Sequence, residues 1–257
     1  MKHRVLLIAA AVCALASTQG ASPETWTFDR LDRIGGHATT VLGTPRVVET
    51  PAGKAIEFDG VDDALFVDVH PLAGAAAFTW EAIFRPDGGN REQRWFHLQE
   101  NGSENRMLFE IRVVDDRWFL DSFNQSTTGS ATLMNKSSLH PLGAWYHVAA
   151  VYDGKVFTNY VNGVKDGEAE VALSPQGPGR SSIGVRINQV YYFKGAIHSA
   201  RFTRRASSFC RCWKALLTDR ARLKTFRVPL KIDRGECEIA LRVLLSGSRR
   251  CELIYKS

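Results

Sequence analysis

Ala77-Phe78-Thr79-Trp80-Glu81-Ala82-Ile83-Phe84-Arg85 decides the fold class. Phe78, Trp80, Ala82 and Phe84 fall on one side of an extended chain, and Glu81, Ile83 and Arg85 on the other. Successive side chains of a strand point to opposite faces, so a period of two over this length specifies a strand with one face on a core. Pro86-Asp87-Gly88-Gly89 then closes it as a loop. Moving outward, the same reasoning predicts strands at Lys54–Phe58, Ala64–Val69, Arg94–Leu98, Met107–Val113, Trp118–Phe123, Trp145–Tyr152 and Lys155–Val161, with weaker ones at Ser181–Val185 and Gly195–Phe202. Two hairpins stand out, one through Asp153-Gly154 and one through Asn162-Gly163, the dipeptides that best tolerate positive φ in a tight turn. No amphipathic helix precedes the C-terminal segment. Many short strands without helical crossovers mean an antiparallel sandwich or barrel.

The chain has 257 residues, 44% hydrophobic and 23% charged. That excludes a disordered chain, a collagen-like repeat and a small disulfide-stapled scaffold, and it suffices for one all-β domain with its own core. The formal charge of +6 is not spread evenly. Residues 206–257 carry 12 Lys and Arg against 5 Asp and Glu, so the preceding part is close to neutral. A neutral body offers nucleic acid no basic surface, and no nucleic-acid partner is expected.

Phe58-Asp59-Gly60-Val61-Asp62-Asp63 resembles the opening motif of laminin-G-like jelly rolls in the concanavalin A-like lectin/glucanase superfamily. Phe78–Pro86, then Trp145-Tyr146-His147-Val148-Ala149 with Tyr152-Asp153-Gly154, then Tyr160-Val161-Asn162-Gly163, are similar to that family's following strands in order and spacing. Phe193-Lys194-Gly195-Ala196-Ile197 and Ala200-Arg201-Phe202 are similar to its closing strand. The likeness runs from about Trp26 to Arg205 and implies an all-β, two-sheet antiparallel jelly-roll sandwich over 22–206. It implies no single function, because the superfamily holds binding modules and hydrolases on one scaffold. In relatives an aspartate of the closing strand helps hold calcium; His198 and Ser199 stand there instead. Asp59, Asp62 and Asp63 are therefore expected to form at most a weakened calcium site, or to shape a turn through backbone hydrogen bonds.

An enzymatic reading finds little support. The Glu-x-Asp-x-x-Glu strand of laminarinase-type relatives is absent, and of the alginate-lyase motifs only Tyr192-Phe193-Lys194-Gly195 has an echo. Glu81, Glu110 and Asp121 would share an exposed face with Arg85 and Arg112 as a generic site, or as solvated cross-strand pairs. Aromatic residues are the stronger lead, since sugars stack their C–H faces on exposed rings. Trp26, Trp80 and Trp145 fall where the pattern buries them. Trp95, Trp118, Tyr191 and Tyr192 are the candidate platforms, with Asn124, Gln125 and Asn188 as hydroxyl-binding amides. The histidines show no metal-ligand spacing. Asn101, Asn124 and Asn135 head glycosylation sequons, expected to stay bare in a bacterial product.

Lys2 and Arg4, the apolar run Val5–Ala16 and small residues to Ala21 read as a signal peptide over 1–21, too short to span a bilayer. The expectation is a secreted or periplasmic bacterial protein with no membrane span after cleavage. Cys210, Cys212, Cys237 and Cys251 cluster in the basic segment 207–257, where composition changes abruptly. Their spacing fits no zinc site. That segment reads as a frameshift product outside the fold, as a basic extension, or as a small added module. The function expected is recognition of a polysaccharide or glycan without catalysis. Glycoside hydrolysis or polysaccharide cleavage is the alternative, and adhesion to a cell-surface protein the third.

Overall fold

The Phe78–Pro86 strand lies at the middle of the first of two antiparallel sheets. The computed structural model describes residues 22–207 and three strands beyond them. The strands in chain order are β1 Glu24–Thr27, β2 Arg33–Ile34, β3 His37–Leu42, β4 Arg46–Thr50, β5 Gly53–Asp59, β6 Ala64–Val67, β7 Phe78–Pro86, β8 Glu92–Glu100 and β9 Arg106–Val114. They continue as β10 Arg117–Gln125, β11 Ser130–Met134, β12 His140–Pro141, β13 Tyr146–Tyr152, β14 Val156–Val161, β15 Val164–Glu170, β16 Gly179–Ile183 and β17 Lys194–Thr203. The first sheet runs β15-β14-β13-β7-β17-β5-β4, with β1 on the second half of β17. The second runs β11-β10-β9-β8-β16-β6-β3-β2, with β12 on the start of β10. Among the described residues there is no helix, and none long and apolar enough to cross a membrane. Phe226–Ile232, Gly235–Arg242 and Glu252–Ile254 pair with one another as a separate antiparallel sheet. The signal-peptide reading of 1–21, and Cys210, Cys212 and Cys251, lie outside the described residues, as does the side chain of Cys237.

The two hairpins form as the dipeptides require. Asn162 and Gly163 have φ of 50° and 74°, both in the left-handed region that joins β14 to β15 without splaying the strands. Asp153 Oδ1 accepts the N–H groups of Lys155 and Val156 at 2.9 and 2.7 Å, which pins the turn from β13 into β14.

Aromatic rings from both sheets fill the space between them. Phe84 of β7 stacks on Trp95 of β8 at 4.2 Å, and Trp95 stacks on Phe109 of β9 at 5.3 Å. Trp118 meets Phe84 and Tyr146 edge-on at 5.1 and 4.9 Å. Offset and edge-to-face contacts of this kind add to the burial of large apolar surfaces, the dominant stabilising term in a core of this size. A polar tie crosses the core as well: the Ser122 hydroxyl donates to Asn159 Oδ1 at 2.9 Å or accepts from its Nδ2 at 2.7 Å, joining β10 to β14 with both residues buried.

The closing strand carries one irregularity. Its register on β7 slips between Ile197 and Ser199, leaving His198 as the extra residue of a bulge. The His198 ring contacts the Ala52 carbonyl at 3.2 Å and the Ser199 hydroxyl at 3.0 Å, with its plane edge-on to Trp145.

Candidate functional site

Strands β8, β9 and β10 are neighbours, and their outward side chains form a densely charged face. The register sets Arg94 opposite Glu110, Glu92 opposite Arg112, and Glu110 opposite Asp121. Arg94 Nε lies 3.1 Å from Glu110, and Arg112 lies 2.7 Å from Asp121, 3.5 Å from Glu110 and 3.0 Å from Glu92. These are not solvated surface pairs: the side chains of Asp121, Glu110, Arg112 and Arg94 are 2%, 6%, 14% and 15% exposed. Pairs on an open surface contribute little, whereas charges this far from water must find partners within the protein or in a ligand. Asp121 Oδ1 finds no hydrogen-bond partner among the described residues. Burial, with the Asp121 carboxylate next, pushes the Glu110 carboxyl up to about 7 against the pull of Arg94 and Arg112. Burial also raises Asp121, which Arg112 opposes.

The loop between β16 and β17 borders this face. Gly184 opens it at φ of 85°, and a Cβ there would sit 2.4 Å from the Phe58 ring, so no larger residue fits. Further on, Gln189 and Tyr191 adopt φ of 60° and 63°, a region costly for residues with a side chain. The surroundings hold them there. The Arg94 N–H donates to the Tyr191 carbonyl at 2.9 Å, and the Phe193 N–H to the Gly184 carbonyl at 2.8 Å. The Arg94 guanidinium lies 3.7 Å from the centre of the Tyr191 ring, a cation–π contact that fixes the ring over the charged face. Tyr191 is nevertheless 43% exposed, and Asn188 beside it is exposed. Tyr192 is half-buried against Phe66, Ala64 and Val185.

Of the residues singled out from the sequence, Tyr191, Tyr192 and Asn188 thus lie on one loop. Trp95 and Trp118 do not join them: both rings are fully buried in the core, and no ligand reaches them. Asn124 is buried too, with Oδ1 accepting the Gln176 amide at 3.2 Å. Trp145, assigned to the core by pattern, is half-buried and lies over Arg85 at 5.4 Å. The five-residue charged face divides in two. Glu110, Asp121 and Arg112 are on the second sheet, while Glu81 and Arg85 are on the outer side of the first. There Glu81 meets the His147 ring at 3.2 Å beside a pocket also lined by Ser199 and Arg201. Arg94, His97, Arg106 and Arg186 are not legible in the sequence, because arginines near turns and a lone histidine carry no local signal of burial.

Asp59, Asp62 and Asp63 come together, with carboxylate oxygens within 4.8 Å of one another. Asp59 Oδ1 accepts the N–H groups of Val61 and Asp62 at 2.8 and 3.2 Å, and Asp63 accepts those of Thr44 and Asp59 at 2.7 and 3.0 Å. Burial works against the Asp59 carboxylate, yet these N–H groups hold it below the usual range. The residue opposite Asp59 on the closing strand is Lys194, not His198. A calcium ion wants six to eight oxygens. Asp59 Oδ1 and both Asp63 oxygens are already engaged by backbone donors, and the Lys194 chain lies alongside; both oppose such an ion, and the bonds tie Asp59 and Asp63 into the turn that returns β5 into β6.

A family model described as the concanavalin A-like lectin/glucanases superfamily matches residues 59–209. Among curated proteins, none matches the chain by sequence. Solved structures similar in fold include the fourth domain of an extracellular arabinanase from Geobacillus stearothermophilus, in complex with arabinotriose. It is 18% identical, with 78% of this chain and 100% of that chain covered and a TM-score of 0.56. The binding domain of a paraclostridial mosquitocidal protein is 11% identical over 91% of this chain and 67% of that one, with a TM-score of 0.55. The botulinum neurotoxin serotype D binding domain is also 11% identical, over 91% and 69%, with a TM-score of 0.55. With the two-sheet topology and the matched family model, the chain belongs to the concanavalin A-like lectin/glucanase superfamily, in its laminin-G-like branch.

Proposed function

We propose that this protein is a secreted, non-catalytic carbohydrate-recognition module that reads a glycan on the outer face of the second sheet. The observation that carries the reading is Tyr191: an exposed ring held at a strained backbone angle and anchored by Arg94 at the edge of a charged, hydrogen-bonding face. A sugar ring stacks its C–H face on Tyr191, while Asn188, Glu92 and Arg112 take its hydroxyls. Backbone strain kept in an exposed ring position is the kind of feature binding sites retain. The arabinanase domain solved with arabinotriose supports a sugar as the ligand. The export signal read at 1–21 supports a secreted or periplasmic location.

One observation favours a second reading, glycoside or polysaccharide cleavage. Glu110, held at about 7 beside Asp121, has the character of a general acid. The two readings part on whether bound polymer is shortened. The binding reading is tested with Tyr191→Gly in the full chain, which removes the ring and relieves the positive φ. Affinity for the retained polysaccharide is expected to fall roughly tenfold or more with the melting temperature held or raised. Unchanged affinity would remove Tyr191 from the site.

A further inference from the structure

Five buried N–H donors on the outer face of the second sheet have no hydrogen-bond acceptor among the described residues; Arg112 Nη1 lies 3.0 Å from Glu92, and the other four are Arg94 Nη1, His97 Nε2, Arg106 Nε and Arg186 Nε. Their placement follows from the register. Arg94 and His97 lie on β8, and Arg106, opposite Gln99, lies on β9 beside them. The Ile187 N–H donates to His97 Nδ1 at 3.0 Å, which brings Arg186 over the same spot. That bond also assigns the proton. A ring nitrogen that accepts carries a lone pair, so the other nitrogen of the neutral imidazole, Nε2, carries the hydrogen. The ring is neutral because burial, then the charges of Arg186, Arg106 and Arg94, hold it down to about 3.

The guanidinium groups are fixed rather than free to seek other partners. Arg94 is held by Glu110 at 3.1 Å and by the Tyr191 ring, and its Nη1 stays 3.6 Å from Glu92. Arg106 lies over Phe123 at 4.7 Å and gives Nη1 to the Glu104 carbonyl at 2.7 Å, leaving Nε. Arg186 makes no ion pair among the described residues. A sugar hydroxyl would bring a donor as well as an acceptor into this set. A group that only accepts, and is negative, answers all four donors and the clustered positive charge together. The unpartnered acceptor of this face, Asp121 Oδ1, lies on β10, with β9 between it and His97.

We infer that Arg94, His97, Arg106 and Arg186 form an oxyanion site, and that the glycan read on this face is acidic, seating a carboxylate or a sulfate there. The inference rests on the carbohydrate reading above, and the test separates the two. The full chain is titrated with inorganic sulfate at constant ionic strength. It is also run through gels containing polygalacturonate, carboxyl-reduced polygalacturonate, dextran sulfate or dextran. Sulfate binding, and retention of at least one acidic polymer roughly tenfold or more above its neutral counterpart, are expected. Which acidic polymer is retained tells carboxylate from sulfate. Arg186→Met, on the exposed loop, and Arg106→Met as an independent variant should each remove that preference and leave any neutral-polymer retention unchanged. Equal retention of acidic and neutral polymers overturns the oxyanion site and leaves the glycan reading standing. Sulfate binding abolished by Arg186→Met, with no polymer retained, keeps the site and overturns the glycan reading. No sulfate binding and no acidic preference mean that water alone satisfies these donors, and the site is overturned.

Discussion

Glu110→Gln tests whether the charged face is as buried as its geometry says. The Glu110 side chain is 6% exposed, and burial with the opposing Asp121 carboxylate pushes its pKa up to about 7, against an ordinary value of 4.5. A carboxyl whose folded pKa is raised binds its proton more tightly in the native state. Its contribution is fully present below 4.5 and is lost as the pH rises through 7. At 1.36 kcal/mol per pH unit, the wild type loses about 3 kcal/mol between pH 4.5 and pH 8 that a neutral glutamine does not. Groups elsewhere titrate alike in both proteins and cancel in the difference. The assay is urea unfolding of both at pH 4.5, 6, 7 and 8. The stability of the variant relative to the wild type should climb by about 3 kcal/mol across that range, or about 6–12 °C in melting temperature. Parallel curves would refute the reasoning and return Glu110 to water, its ion pairs with Arg94 and Arg112 reduced to surface decoration.

Trp118→Ala should cost about 3–5 kcal/mol in unfolding measurements, because it empties a fully buried ring site against Phe84 and Tyr146; a neutral substitution that weakens glycan binding would put Trp118 at the surface instead. Adding calcium or a chelator should leave the melting temperature within about a degree, since the Asp59 and Asp63 oxygens are engaged by backbone N–H groups; a rise that saturates with calcium would show a bound ion. We propose that 208–257 lies outside the fold, so a chain ending at Ser207, whose N–H donates to Thr79 Oγ1 at 2.8 Å, should melt with the full chain; a large fall would make the basic segment part of the domain.

Alternation was enough to read β7, and the dipeptides Asp153-Gly154 and Asn162-Gly163 enough to read two hairpins, because both are local. Where the backbone departs from period two the reading fails. The register slips between Arg94 and Phe96, so Trp95 and Phe96 are consecutive and both in the core, which no alternating pattern predicts. Trp118 follows the polar turn Asp115-Asp116-Arg117, which disguised the first inward residue of β10. Strands β3, β4 and β11 are short and polar, held by their partners rather than by a hydrophobic face of their own. Alternation also says which face of a strand is inward but not which sheet the strand joins. Hence alternation alone groups Glu81 and Arg85 with Glu110, Asp121 and Arg112, although the sandwich puts them on opposite outer faces. Tyr191, Tyr192 and Asn188 were legible as a polar aromatic loop. Arg94, His97, Arg106 and Arg186 were not, because their significance lies in cross-strand register and shared burial.

The central claim is that the outer face of the second sheet binds a glycan and leaves it whole. The most direct measurement incubates the full chain and its Tyr191→Gly variant with plant, algal and bacterial polysaccharides, reading retention on the polymer and soluble sugar released from the same tubes. The account predicts retention of at least one polymer by the wild type, a loss of roughly tenfold or more in the variant, and no release by either. Release of soluble sugar, retention indifferent to Tyr191, or no retention of any polymer would contradict it.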